Sequence, residues 1–529
     1  MSGGLGYTDV GDAFAIGGLA REVFLRNAQH YNASATAPLY QVEPHVIEGI
    51  FSALLGEAGV QYVAARGASI ASVALGSGGV RALTLSTGAS FTAEVFIDAS
   101  YEGDLLAAAG RFVGVSGAPA PAPRGPIQLT FGREAISAYN ETWAGRREPF
   151  GSPFDLRPIS PLDSSGALLP LLTARTFAPQ GSGDALTQGY NFRLCAVRRS
   201  ESPAHWLPMP QPAPYDTARW ELLRRYAALP GIANTSQGGA AAHFFSLGPL
   251  PSATPGLRKY DMNNGCLVST DFTGGSWAYP TGNASQRAAV WSAHKEYMLQ
   301  YFHTLTTDPA IAPAIRAGVA DVGLCGDEFP ATGGWPEQLY VREVVRLVGD
   351  TVLTQDGVWK VASGQPPTPA MDWGIASIGM GSYAADGHYA QRGPCVAYND
   401  SGGAPRCRMV TSEAELASAR AAGTLWTGGE GYVGDTSAFA LYQIPYFALL
   451  GRAGEASNVL SPTCPSVSHA VFASLRVEPT WMVMGHATGV AAALAVQQGV
   501  GVHSVDTGVL HERLVQQGAV LCKNKFPQC

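Results

Sequence analysis

Between residues 70 and 100 the chain commits itself to sheet. Residues 70–75, 80–85 and 91–97 are three short apolar runs, and glycine marks both turns between them, Gly76-Ser77-Gly78-Gly79 and Thr87-Gly88. Apolar and polar residues alternate along the second run, which is the period of a half-buried strand. The spacing predicts a β-meander. Its last strand ends in Asp98-Ala99-Ser100, passes through Tyr101-Glu102-Gly103-Asp104 and enters an alanine-rich helix over 105–110. A buried strand that stops at an acid and two small residues suits the carboxyl edge of a sheet, where nucleotides bind. Asp98 reads equally well as a turn acid capping the next helix.

Helical spacing flanks this unit. Phe14, Ile16, Leu19, Val23 and Leu25 predict a helix over 12–27, and a second over 46–57 follows Glu43-Pro44-His45, a sequence suited to a helix start. Residues 116–126 are rich in proline and alanine and predict an exposed extended excursion. From there to about 450 the pattern is irregular. A helix is expected over 284–305, short strands at 339–341 and 351–353, and a loop insertion at 393–435. Regularity returns with a strand ending at 458–462 and a long helix over 480–498, which Gly499 closes. That helix carries Gly485, Ala487 and Gly489, small residues that let a backbone or a flat ligand come close; tight helix–sheet packing explains them as well.

Composition narrows the class. Apolar residues make up 46% of the 529 and charged residues 14%, enough to build cores for two large domains. The net charge is −7, and no Lys/Arg block is present to track phosphates, so nucleic acid is not an expected partner. No apolar run reaches the ~18–20 residues of a membrane helix, which predicts a soluble chain. The eight cysteines include no C-x-x-C, against zinc ribbons and iron–sulfur ligation. Cys395 with Cys407, and Cys522 with Cys529, lie close together in loop-like segments where a disulfide closes a short ring. Asn32, Asn140, Asn234, Asn283 and Asn399 stand in N-x-S/T sequons. Together these predict a glycoprotein of the secretory pathway or extracellular space. Idle sequons and free thiols in a cytoplasmic protein are the other reading.

The order of the pieces, with several long phrases, resembles the FAD-dependent oxidoreductases of the glutathione-reductase-like FAD/NAD(P)-binding superfamily, related to the flavin domain of heterodisulfide reductase. The phrases run along nearly the whole chain: Gly3-Gly4-Leu5-Gly6, Glu43-Pro44-His45, Phe96-Ile97-Asp98-Ala99-Ser100, Gly132-Arg133-Glu134, Ser269-Thr270-Asp271-Phe272, Trp335-Pro336-Glu337, Ser377-Ile378-Gly379-Met380-Gly381, Ser466-Val467-Ser468-His469 and Arg476-Val477-Glu478-Pro479-Thr480. The resemblance implies an α/β fold: a Rossmann-like FAD/NAD(P)-binding domain with a β-meander and an inserted α+β substrate domain. The first part of the FAD domain is then 1–115 with the meander at 70–98, the substrate or cap domain 116–450, and the return to the FAD domain 451–529 with the flavin-facing helix 480–498. It also implies FAD as cofactor. Ser2, Gly3 and Gly4 would line the ribityl side, Asp98, Ala99 and Ser100 the adenosine–pyrophosphate side, and Gly485, His486 and Ala487 the pyrimidine ring. No strand and G-x-G-x-x-G turn precede Met1, so the first βαβ unit of that domain is expected to be missing, with weakened FAD binding and an exposed, sticky sheet edge. No iron–sulfur cluster is expected.

For catalysis, hydride transfer to flavin from a small polar substrate, with a hydroxylated one such as a sugar derivative as the expected type, calls for a proton acceptor. His388, in Asp386-Gly387-His388, and His469, after Ser468, are the candidates; each histidine reads as well as structural. Arg392 and Arg342 are candidates for holding a substrate oxygen, or simply pair with acids such as Glu343. Asp386 and His388 lack a third ligand, so no metal is expected. The rival reading is a non-catalytic remnant that keeps the fold as a binding module. A polysaccharide lyase or hydrolase is a third, for which no carboxylate pair can be placed.

Overall fold

The computed structural model describes residues 6–65, 67–114, 122–149, 156–213, 215–233, 243–265, 267–360, 368–369, 371–434 and 441–522. The Gly-rich start at Ser2, Gly3 and Gly4, and most of the proline–alanine excursion, lie outside these residues.

The meander forms as three antiparallel strands, Ile70–Gly76, Gly79–Leu85 and Ser90–Thr92. The run expected to continue to residue 97 divides instead. Phe96–Ile97 pairs in parallel with Val459–Leu460; Phe96 N donates to Asn458 O at 2.8 Å and Asp98 N to Leu460 O at 2.9 Å. The Asn458 side chain fixes the division. Its Oδ1 accepts from Val80 N, while its Nδ2 donates to Val80 O and Glu94 O, so one amide ties the meander to the strand that leaves it. Among the described residues Phe96–Ile97 has a single strand neighbour, and Ile97 is 42% exposed.

The first helix is Gly18–His30, preceded by a 3-10 turn at Ala13–Ala15 that the Asp12 side chain caps. The expected helix over 12–27 breaks at Gly17-Gly18, where Gly18 has φ +54° and its Cα faces His486; a Cβ there would sit 2.5 Å from His486 Nδ1. Pro44–Glu57 is the second helix, with Pro44 in its first turn, where the missing N–H costs nothing.

The middle of the chain builds a five-stranded antiparallel sheet in the order Phe245–Leu250, Lys259–Asn264, Leu194–Arg198, Val322–Cys325, Trp206–Leu207. The helix Ala284–Thr307, opened by a capping box between Asn283 and Gln286, contributes Tyr297, Met298, Tyr301, Phe302 and Leu305 to the core that these strands share. Aromatic rings supply much of that burial, Phe272 stacking on Tyr297 with centroids 4.5 Å apart. Cys195 and Cys325 form a disulfide across two neighbouring inner strands, Leu194–Arg198 and Val322–Cys325. The ladder Arg198↔Val322, Val197↔Gly323, Ala196↔Leu324 brings the two cysteines opposite each other.

Residues 393–435, expected as a loop insertion, are largely folded. Gln391–Asn399 and Pro405–Met409 make a hairpin, the helix Glu413–Ala422 follows, and Leu425–Glu430 pairs with the other side of Gln391–Asn399. Gly402 and Gly403 provide the hairpin turn, Gly403 at φ +79°, so glycines that suggested a loop mark only its tip. The expected Cys395–Cys407 disulfide spans this hairpin. The runs at 339–341 and 351–353 make single bridges, Asn191↔Tyr340 and Leu353↔Val467, in place of strands. The long C-terminal helix is Glu478–Gln498, closed by Gly499 in the left-handed conformation. No helix among the described residues is long and apolar enough to cross a membrane. The result is a mixed α/β fold of several small sheets.

Candidate functional site

Two histidine–carboxylate pairs lie side by side, joined through Gln188. His469 is the first residue of the helix His469–Leu475, which the Ser468 side chain caps. Its amide donates to Glu134 Oε2 at 2.9 Å, and its Nδ1 lies 2.9 Å from both oxygens of Glu343. Glu343 also receives Arg346 and, at 3.2 Å, Gln188 Nε2. Arg346 in turn donates to Glu134 at 2.5 Å and to the carbonyls of Gly132 and Val467. Burial alone would raise the Glu343 carboxyl; the charges of His469 and Arg346 outweigh it and hold the group below its ordinary range. His469 Nε2 is buried and has no partner among the described residues. A carboxylate that anchors Nδ1 fixes the ring and leaves Nε2 for chemistry.

His388 is held from both sides. Its Nδ1 is 2.7 Å from Asp271 and its Nε2 3.5 Å from Asp386. Asp271 also pairs with Arg342 at 3.0 Å, and Asp386 with Arg476 at 2.8 Å. Burial would raise both carboxyls, but these cations win and lower them, Asp386 strongly. Gln188 joins the two pairs: the His388 amide donates to its Oε1 at 2.8 Å while its Nε2 reaches Glu343. Arg392 is 1% exposed beside the Asp271 loop; its guanidinium donates to Thr273 Oγ1 at 3.0 Å, and its Nε has no partner among the described residues. The structure therefore brings His388, His469 and Arg392 into one neighbourhood. Arg342 pairs with Asp271, and Arg346 takes the place beside Glu343.

The expected cofactor segments divide between open and inward-facing positions. Asp98 is 4% exposed. Its carboxylate accepts from Ser100 N, Ser100 Oγ and Leu106 N at 2.7–3.1 Å; the acid thus caps the helix Asp104–Ala109 from within, and burial raises its pKa. Ala99 is exposed at the loop crest. Beyond that loop Tyr101 sets the edge of its ring against Trp481, centroids 5.0 Å apart, so the loop meets the first turn of the C-terminal helix. That helix begins at Glu478. The N–H groups this helix start leaves without a partner inside the helix are those of Glu478 and Thr480, since Pro479 has none, and Gly485 lies about two turns further in. His486 turns inward, its Nε2 2.6 Å from Gln517 Oε1, and Ala487 is fully buried. Gly485 and Gly489 stand open: a Cβ added at either would meet nothing within 4 Å.

Sequence reasoning did not single out Gln188, Arg346, Tyr340 or Glu478 as site residues. Both Glu478 carboxylate oxygens and the Tyr340 hydroxyl are buried without hydrogen-bond partners among the described residues. An acid in an otherwise apolar helix start was the available signal. Burial, and then Asp9, push the Glu478 carboxyl up to about 7 from an ordinary 4.5. A carboxyl raised in this way keeps a proton that the unfolded chain has already released. Its contribution favours the folded state at low pH and is lost as pH rises from 4.5 through about 7. Glu478→Gln is expected to remove that slope, roughly 3 kcal/mol across the interval, in urea midpoints measured against pH. An unchanged slope would assign it to another group. A separate cavity of about 540 Å³, lined by Ile70, Glu102, Asp104, Tyr279 and Arg287, does not include either histidine.

Residues 1–514 match the family model described as FAD dependent oxidoreductase, and the chain belongs to that family. FAD is accordingly its cofactor. The open Gly485/Gly489 face gives a flat group room, which fits that cofactor. No curated protein and no solved structure matched the chain.

Proposed function

We propose that this flavin oxidoreductase oxidises a small hydroxylated molecule, a sugar derivative being the fitting type, with His469 taking the hydroxyl proton. The observation that carries this reading is the His469–Glu343 pair: Nδ1 anchored by both carboxylate oxygens at 2.9 Å, Nε2 buried and unpartnered among the described residues. FAD, when bound, supplies the two-electron acceptor for the substrate hydride. Gly485, the Asp98-Ala99-Ser100 loop, and Ser2, Gly3 and Gly4 are the residues assigned to hold it. His388, fixed between Asp271 and Asp386, keeps its loop in place, and the Nε of Arg392, without a partner among the described residues, offers a donor to a substrate oxygen.

The test loads the purified chain with FAD and follows the visible flavin band under anaerobic conditions with a panel of sugars and polyols. At least one is expected to bleach the flavin and yield a product two hydrogens lighter. Bound flavin that no alcohol in the panel bleaches would reject alcohol oxidation and favour a binding role for the fold.

A further inference from the structure

The sequons have no part in flavin chemistry, and the structure bears on them independently. Four of the five lie within the described residues, and all four asparagines are exposed. Each stands where the chain changes course. Asn32 follows the helix Gly18–His30 with φ +52°, and Asn140 closes the short helix Ile136–Tyr139 with φ +56°. Asn283 is the N-cap of Ala284–Thr307, and Asn399 ends the strand Gln391–Asn399 before its turn. At Asn283 the cap uses Oδ1, which accepts from Gln286 N at 3.0 Å; Nδ2, the atom that carries an N-linked sugar, is not needed for it. Asn234 lies outside the described residues.

The cysteines give a second, unrelated line. Six of the eight are described; Cys195, Cys325, Cys395, Cys407 and Cys522 are disulfide-bonded, leaving Cys464 free and buried. Cys529, the expected partner of Cys522, lies outside the described residues. Cross-links on this scale persist where the surroundings oxidise thiols and are rare where glutathione keeps them reduced. The compartment that forms disulfides in a eukaryote is also the one in which N-x-S/T asparagines are modified.

We propose that this chain matures along the secretory route as an N-glycoprotein, with Asn32, Asn140, Asn283 and Asn399 as its acceptor sites. In the transfer, the asparagine Nδ2 attacks the anomeric carbon of an oligosaccharide carried on a polyprenyl diphosphate. The C–N bond forms as the bond from that carbon to the phosphate oxygen breaks. The lipid diphosphate leaves, and one amide proton passes to the transferase. Electrons stay paired throughout, and no oxidant enters. Each acceptor is already at the surface, so the folded chain accommodates four sugars without moving an element.

The test uses the protein isolated from its source organism. Intact mass is measured before and after peptide-N-glycosidase treatment in ¹⁸O water, and tryptic peptides are mapped for asparagine converted to labelled aspartate. The expected result is a fall in mass with label at three or all four sites. An unchanged mass equal to that of the bare polypeptide, or label at two or fewer of them, overturns the proposal. Thiols are titrated in the same sample, denatured and unreduced; a count of eight would remove the compartment argument and overturn it as well.

Discussion

The His469→Ala protein, loaded with FAD, is expected to bleach its flavin roughly 10²–10⁴-fold more slowly than the parent with the best alcohol of the panel, the range that a positioned general base contributes. The effect should fall on the rate at saturating alcohol, because Nε2 takes the proton only as the hydroxyl ionises. Glu343→Gln separates a base from a packing residue. It keeps the shape but offers Nδ1 an amide in place of a carboxylate, so the ring loses the negative charge that faces it as it takes the substrate proton. Its bleaching rate should fall as well, with a changed pH profile and the flavin still bound. His388→Ala is expected to act more weakly, since both nitrogens of that ring already face acids. Parent-rate bleaching by His469→Ala would remove His469 from the reaction.

A second large effect is expected at Lys259, which pairs with neither His388 nor His469. Its ammonium is fully buried and paired with Glu43, Asp327 at 2.6 Å and Glu328 at 2.9 Å, while His45 Nδ1 lies 2.7 Å from Glu328. This cluster pins the helix Pro44–Glu57 to the five-stranded sheet. Burial would lower the Lys259 pKa, but the three carboxylates outweigh it and raise it. The ion pair is therefore fully formed below the ordinary lysine value of 10.5, and its contribution is lost only as pH climbs through the higher folded value. Lys259→Met leaves Glu43 and Glu328, 2% and 1% exposed, without their cation. Breaking a buried pair on one side costs about 3–5 kcal/mol. The loss should be greatest near neutral pH and partly recovered toward pH ~5, where His45, raised by its bond to Glu328, is positive and gives that carboxylate a cation. Chemical denaturation across that range measures it. A loss independent of pH would mean that the lysine stem, rather than its charge, holds the helix.

Local patterns were legible in the sequence, and long-range ones were not. Glycine turns gave the meander, Glu478-Pro479 and Gly499 bracketed the C-terminal helix, and the short spacing of Cys395 and Cys407 gave their disulfide. Cys195 and Cys325, 130 residues apart, become neighbours only through the register of two strands, which their spacing does not encode. The same holds for Glu343 and His469, each visible as a residue and invisible as a pair. The hairpin at 391–409 was obscured because Gly393, Pro394 and Pro405 lie within its strands; Pro394 lacks an N–H yet its carbonyl still accepts from Val410 N at 3.1 Å. Asp98 shows the opposite limit. Its place in the motif was plain, but only the structure shows the hydrogen bonds of its carboxylate turned inward to Ser100 and Leu106.

Gln188 gives the two histidine pockets a shared orientation. A main-chain amide can only donate, so the end of Gln188 that meets His388 must be its oxygen, which leaves the NH₂ for Glu343. The side chain is keyed: rotated by half a turn it would set donor against donor and oxygen against carboxylate. A glutamate in its place would lose the donor and bring a second negative charge to Glu343; a leucine would strand a buried amide on one side and part of a carboxylate on the other. Position 188 thus admits one polarity, and a change in either pocket must be negotiated with the other through that single amide.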